Sequence, residues 1–280
     1  MPSSALTHIF LSPHLDDAVL SCGGMMRAYA SSGARVVVVT VCTANPPPGP
    51  LSLYAQALHE RWAGEAGSSR PAPAEMVGAR RTEDLAALAD LGVEAVHLDV
   101  LDCIYRLNPA NGWPLYTSDP SVFGSVHSAE LSLVRRVATR LTTLLRGFGR
   151  HHLYVPLTIG GHVDHQLARR AAEVAGGIYA YYEDYPYVAN AGDRWPNPSQ
   201  TTAHDRPLLP EFVRLSETNL AGKVSAISRY VSQISTFWAD PAAMDRAVRQ
   251  FAAHTGGDAP AERVWRVGSE GTRNPPFSGD

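Results

Sequence analysis

His8-Ile9-Phe10-Leu11-Ser12-Pro13-His14-Leu15-Asp16-Asp17 opens the chain's readable pattern, and Val36-Val37-Val38-Val39-Thr40 answers it a helix-length later. The apolar run at 8–11 ends at Ser12-Pro13 and reads as a buried strand. From Asp17 to Ser31 small and apolar residues recur at helical spacing, and Gly33 follows as a stop. The four valines and Thr40 read as a second buried strand. Strand, loop, helix, strand is the βαβ unit of a parallel sheet, whose crossover is right-handed.

The alternation continues outward. Helix is expected over about 77–91, strand over 95–100, helix over 128–146, strand over 151–156, helix over 164–175 and strand over 178–182. The fold class expected is therefore α/β: a Rossmann-like, doubly wound, mostly parallel sheet with helices on both faces. One domain spans 1–280, with its core at about 7–185 and a less regular part at about 186–270 that holds a helix near 215–237. Residues 43–75, rich in Pro, Gly, Ser and Ala, read as a surface lid with a short helical piece at Glu60-Arg61-Trp62. A second irregular region runs over 108–123, and the last ten residues read as frayed.

Composition excludes several classes of function. Net charge is -3, which gives no footprint for a nucleic acid or an anionic membrane. No apolar run approaches the ~20 residues that span a bilayer. Met1-Pro2-Ser3-Ser4 lacks the basic and apolar regions of a signal peptide, so a cytoplasmic location is expected. Cys22, Cys42 and Cys103 are too few and too scattered for a disulfide framework or a Cys-based zinc site, and read as buried small hydrophobes.

Two constellations carry chemistry. His14, Asp16 and Asp17 follow the first strand, where open parallel sheets place their binding sites. Adjacent carboxylates repel unless they share a cation or a proton. A metal on His14 and one Asp removes that conflict and frees the other Asp as general base. Either Asp could instead cap the following helix. Gly160-Gly161-His162-Val163-Asp164-His165 follows the fourth strand in the same way. Residues three apart on a first helical turn face one side, so His162 and His165 can share one small volume. Two histidines and one carboxylate with an open position is a common set for catalytic zinc, and both clusters follow strands of one sheet and so can meet at the same edge.

His14-Leu15-Asp16-Asp17-Ala18, His162-Val163-Asp164-His165 and the helix with Arg80-Arg81-Thr82-Glu83 before Leu91-Gly92 resemble the PIG-L/LmbE-like zinc de-N-acetylases. The resemblance covers about 7–185, with weaker likeness at 223–233 and 262–265. It implies His14, Asp17 and His165 as metal ligands and Asp16 as general base on the attacking water. It implies His162 as stabiliser of the oxyanion or proton donor to the amine, and Asp164 as the group that orients or tunes that histidine. Arg80 and Asp102 match positions that hold or shape the sugar pocket. The implied cofactor is Zn2+, with Fe2+ or another divalent metal as alternative. The implied partner is a small N-acetylated sugar or glycoconjugate, and a homo-oligomer is allowed.

Leu15, Ala18 and Gly160 depart from the family pattern; at Gly160 some members carry a tyrosine that assists the oxyanion. The loop 43–75 and the region 104–123, with Tyr105-Arg106 and Trp113 to Tyr116, are expected to build the sugar pocket. The tyrosines between Tyr179 and Tyr187 read as a further wall or as core, with Glu183 or Asp184 reaching a substrate. Competing readings are an amidase on another N-acylated small molecule, with a longer acyl chain or a cysteine conjugate, and a metal-binding inactive relative. A nucleotide-binding module lacks support, because no Gly-x-Gly-x-x-Gly follows the first strand.

Overall fold

The structure, a computed structural model, describes residues 6–63, 72–192, 195–196, 202–203 and 206–268. Every residue of β1 (Thr7–Ser12) is buried, as are seven of the eight in β2 (Arg35–Cys42). Strands this apolar can only sit inside a sheet covered on both faces. With β3 (Glu94–Val100), β4 (His151–Pro156) and β5 (Ile178–Tyr182) they form a parallel array in the order β3-β2-β1-β4-β5.

The chain steps one way from β1 through α1 (Asp17–Ser31) and α3 (Pro73–Leu91), and the other way through α5 (Leu131–Phe148) and α6 (Val163–Ala175). Right-handed crossovers then put the two helix groups on opposite faces. Accordingly α1 packs against α3, and α5 against α6. The direction reverses between β1 and β4, so their carboxyl ends flank the crevice where such sheets bind ligands.

The C-terminal part is more regular than its sequence suggests. Short β6 (Thr202–Ala203), β7 (Arg206–Arg214) and β8 (Ala261–Val267) extend the sheet, and β8 runs antiparallel to both β5 and β7. Pro207 and Pro210 mask β7 in the sequence, since proline removes a ladder donor. The helix expected at 215–237 is two helices, α8 (Glu217–Ile227) and α9 (Val231–Phe237). The chain breaks at Tyr230, whose buried hydroxyl donates to Asp84 Oδ1 at 2.9 Å. A further helix, α10 (Pro241–Gly256), starts at the Asp240 cap.

Packing ties this part to the beginning of the chain. The amides of Gly24 and Met25, inside α1, donate to the two carboxylate oxygens of Glu262 on β8 at 3.0 and 2.7 Å. Lys223 Nζ on α8 donates to the same carboxylate at 2.7 Å and to the Ser21 carbonyl at 3.2 Å. Gly24 permits the approach: a Cβ there would lie 2.6 Å from Leu215 and 3.1 Å from Glu262. One hydrophobic cluster runs from Ile9 to Trp265.

Within 43–75 the described residues hold α2 (Leu53–Ala63) and the start of α3, so part of the expected lid is a packed helix. Ala55 and His59 of α2 are buried, and His59 Nε2 lies 2.5 Å from the Tyr105 hydroxyl. Two one-turn helices, α4 (Asp119–Val122) and α7 (Tyr187–Asn190), flank the crevice. The frayed end expected over the last ten residues lies outside the described residues. Cys22, Cys42 and Cys103 are free and buried. Among the described residues no helix is long and apolar enough to cross a membrane.

Candidate active site

β1 ends at Ser12, and the chain turns there because Ser12 Oγ donates to the His14 carbonyl at 2.6 Å and accepts the Ala18 amide at 3.0 Å. The turn aims His14, Asp16 and Asp17 into the crevice. From the other side, His162 caps α6 by accepting the Asp164 amide on Nδ1 at 3.2 Å, and His165 follows one turn on. The two clusters meet. The His14 ring centroid lies 4.8 Å from that of His162 and 5.5 Å from that of His165.

Asp17 is the convergence point. Its Oδ2 accepts the His14 amide at 2.8 Å and lies 3.0 Å from His14 Nδ1 and 3.3 Å from His165 Nε2. The remote nitrogen of each ring is held by another carboxylate. His14 Nε2 sits 3.1 Å from Asp164 Oδ2, and His165 Nδ1 sits 2.6 Å from Asp184 Oδ1. A carboxylate on the far nitrogen of each imidazole is how proteins orient metal-binding histidines. His165 Nε2 is buried without a hydrogen-bond partner, and a nitrogen so placed suits a cation. The ring nitrogens of His14, His162 and His165 also come within 4.8 Å of one another. The donor set therefore fits a divalent ion.

The electrostatics agree. Burial alone would lower both histidines, but Asp17 and Asp164 carry His14 well above the ordinary range, and Asp17 and Asp184 bring His165 to about 9. Burial opposes ionisation of Asp17, yet His165 and His14 hold it well below the usual carboxylate range. His162 goes the other way: burial and the nearby His14 charge push it down and keep it neutral. Burial and the neighbouring Asp17 charge raise Asp16 to about 7, against the pull of Arg80. Arg80 Nη2 lies 3.8 Å from Asp16 Oδ2, and its guanidinium stacks 4.7 Å from the Trp62 ring centre. Arg80 thus faces Asp16 rather than Glu83, whose carboxylate accepts from the Ser232 amide and hydroxyl.

A cavity of about 180 Å³ opens over these groups, lined by Asp16, Asp17, Arg80, Asp102 and His162. Tyr54, Leu58, Arg61 and Trp62 of α2 contribute its wall, with Phe123, Tyr187 and Phe237. Asp102 accepts the Ile104 amide on Oδ1 at 3.2 Å and sets Oδ2 3.7 Å from His14 Nε2. Gly160 has φ +90, and a Cβ there would meet the Tyr187 ring at 2.9 Å, so that ring fills the space beside the glycine.

Three placements differ from the sequence reading. Asp164 sets its carboxylate against His14 Nε2, so its hydrogen bond orients His14, while on His162 it acts through its charge alone. Arg106 does not line the cavity over the site. It is buried with Nη1 2.5 Å from Asp164 Oδ1 and Nε 2.5 Å from Glu130 Oε1, and Tyr116 donates to that same Glu130 at 2.5 Å. Of the two carboxylates after β5, Asp184 serves His165, while Glu183 accepts from Trp195, Arg263 and Trp265. Asp184 was findable by its position at the carboxyl end of a strand, as His14 was.

Comparison with known proteins adds a common thread. Residues 9–175, more than half of the chain, match the family PIG-L, described as GlcNAc-PI de-N-acetylase. The 2'-N-acetylparomamine deacetylase of Streptomyces fradiae is 27% identical over 275 residues, 94% of this chain and 82% of that protein. The protein of the same name from Niallia circulans is 28% identical over 188 residues, 64% of this chain and 66% of that protein's length. The crystal structure of the zinc inhibited form of teicoplanin deacetylase Orf2 superposes with a TM-score of 0.78 at 28% identity, covering 94% of this chain and 98% of that one.

Proposed function

The chain belongs to the PIG-L family, the GlcNAc-PI de-N-acetylases, and from that premise we propose that it hydrolyses the acetamide of an N-acetylated amino sugar or its conjugate. The products are acetate and a free amine. Relatives named for 2'-N-acetylparomamine and a structural neighbour named for teicoplanin support this substrate class.

The observation that carries the reading is the position of Asp17 Oδ2, 3.0 Å from His14 Nδ1 and 3.3 Å from His165 Nε2. His14, Asp17 and His165 would hold the metal, with Asp164 and Asp184 fixing the two rings. Zinc is the ion proposed; ferrous iron is the alternative, since imidazole and carboxylate donors take both. A bound divalent ion supplies Lewis acidity for the amide carbonyl and lowers the pKa of a water. Asp16, raised by burial and the Asp17 charge in the metal-free site, is placed to take the proton of the attacking water as general base. His162, whose Nδ1 is tied to the Asp164 amide, presents its other nitrogen to the developing oxyanion or the leaving amine. Arg80 and Asp102 meet the sugar, with the Trp62 face beside them.

The test is acetate release from a panel of N-acetylated glucosides and aminoglycoside precursors, with metal content measured on the same samples. Asp16→Ala should lower turnover roughly 10²- to 10⁴-fold while metal stays stoichiometric. A protein that takes up no divalent metal at all would sink the proposal.

A further inference from the structure

A second cavity, of about 500 Å³, lies between the end of β3, the loop 106–115 and the first turns of α5. Its size is that of a small-molecule site. Its floor is apolar, built by Leu101, Leu115 and Leu133, with the half-exposed Leu107 at its edge. Its rim on α5 carries Arg136 and Arg140, one turn apart. Like charges at that spacing repel, and neither guanidinium meets a carboxylate within 4 Å among the described residues. No compensation comes from nearby sequence either: residues 131–163 contain five arginines and no Asp or Glu. The lining's remaining charges are Asp99, exposed on β3, and the inner Arg106–Glu130 ion pair.

We propose that this cavity binds a small amphipathic anion, an aryl or short acyl body bearing a carboxylate or a phosphate. The body lies on the leucine floor. The anionic head is held by the forked donors of Arg136 and Arg140, which recognise carboxylate and phosphate oxygens alike.

The experiment is calorimetric titration of the full chain with 2-naphthyl phosphate, 2-naphthoate and neutral 2-naphthol. Saturable one-to-one binding of one or both anions is expected, with the alcohol at least tenfold weaker. Arg136→Gln/Arg140→Gln should weaken the anion at least tenfold, and Leu133→Trp, which fills the floor, should abolish binding. Circular dichroism and thermal melts verify that each variant is folded. Anion binding that is absent at millimolar concentration, or unchanged by the double substitution, overturns the proposal. Equal affinity for 2-naphthol overturns the anionic class. Neither arginine belongs to the hydrolytic site, so acetate release by the double variant should match wild type.

Discussion

Arg106 and Asp164 form the innermost ion pair of the site, with Nη1 2.5 Å from Oδ1. Asp164 is fully buried and gives its other oxygen to His14 Nε2 and the Cys103 amide. One arginine from the loop after β3 therefore neutralises the carboxylate that orients a histidine after β1.

Removing it should be costly. Arg106→Met removes the arginine from Asp164 Oδ1 and from Glu130 and leaves His14 and the Cys103 amide on Oδ2; breaking a buried pair in this way typically costs about 3–5 kcal/mol. Denaturant unfolding should show a loss of that order. Adding Asp164→Asn should restore part of the stability while metal affinity stays low. Unfolding curves that superpose on wild type would refute this account of the pair.

Asp184→Asn keeps the shape of the side chain but removes the charge behind His165. Loss of such a supporting carboxylate lowers metal affinity by roughly 10- to 100-fold. Competition with a chromogenic chelator measures it. Unchanged affinity would mean that His165 is oriented by packing alone.

Metal uptake should also depend on pH in a defined direction. Asp17 and Asp184 hold a proton on His165 up to about pH 9, and His14 is raised as well. A protonated ring cannot ligate, so binding displaces those protons and affinity rises as pH climbs towards 9. Calorimetry in buffers of different ionisation enthalpy should register the proton release at pH 7. A buffer-independent enthalpy would contradict it.

Gly160→Ala tests the fit of Tyr187. The backbone there has φ +90, and the added methyl would sit 2.9 Å from the ring. A strained residue of this kind costs on the order of 1–3 kcal/mol. Combining it with Tyr187→Ala should relieve the steric part and leave the backbone part, which thermal melts of the single and double variants can separate.

The βαβ opening and the two histidine-containing turns were legible because each depends on local pattern: a run of valines, a glycine stop, ligand types just past a strand. What the sequence concealed is non-local. Nothing near Arg106 announces that Asp164 is its partner, and Tyr105-Arg106 reads as a sugar-binding pair until both side chains prove buried. Tyr230 splits an apparently continuous helix because Asp84, far away in the chain, accepts its hydroxyl. β7 was hidden by its two prolines and by exposure of most of its residues.

The Glu262 carboxylate that receives the Gly24 and Met25 amides is separated from them by 238 and 237 positions. During synthesis at roughly 5–20 residues per second, the helix that begins at Asp17 emerges on the order of ten to fifty seconds before its anchor is made. Until then the middle of α1 lacks the carboxylate that its Gly24 and Met25 amides meet in the folded chain. The brace on α1 is thus a late arrival, completed only once β8 has been made.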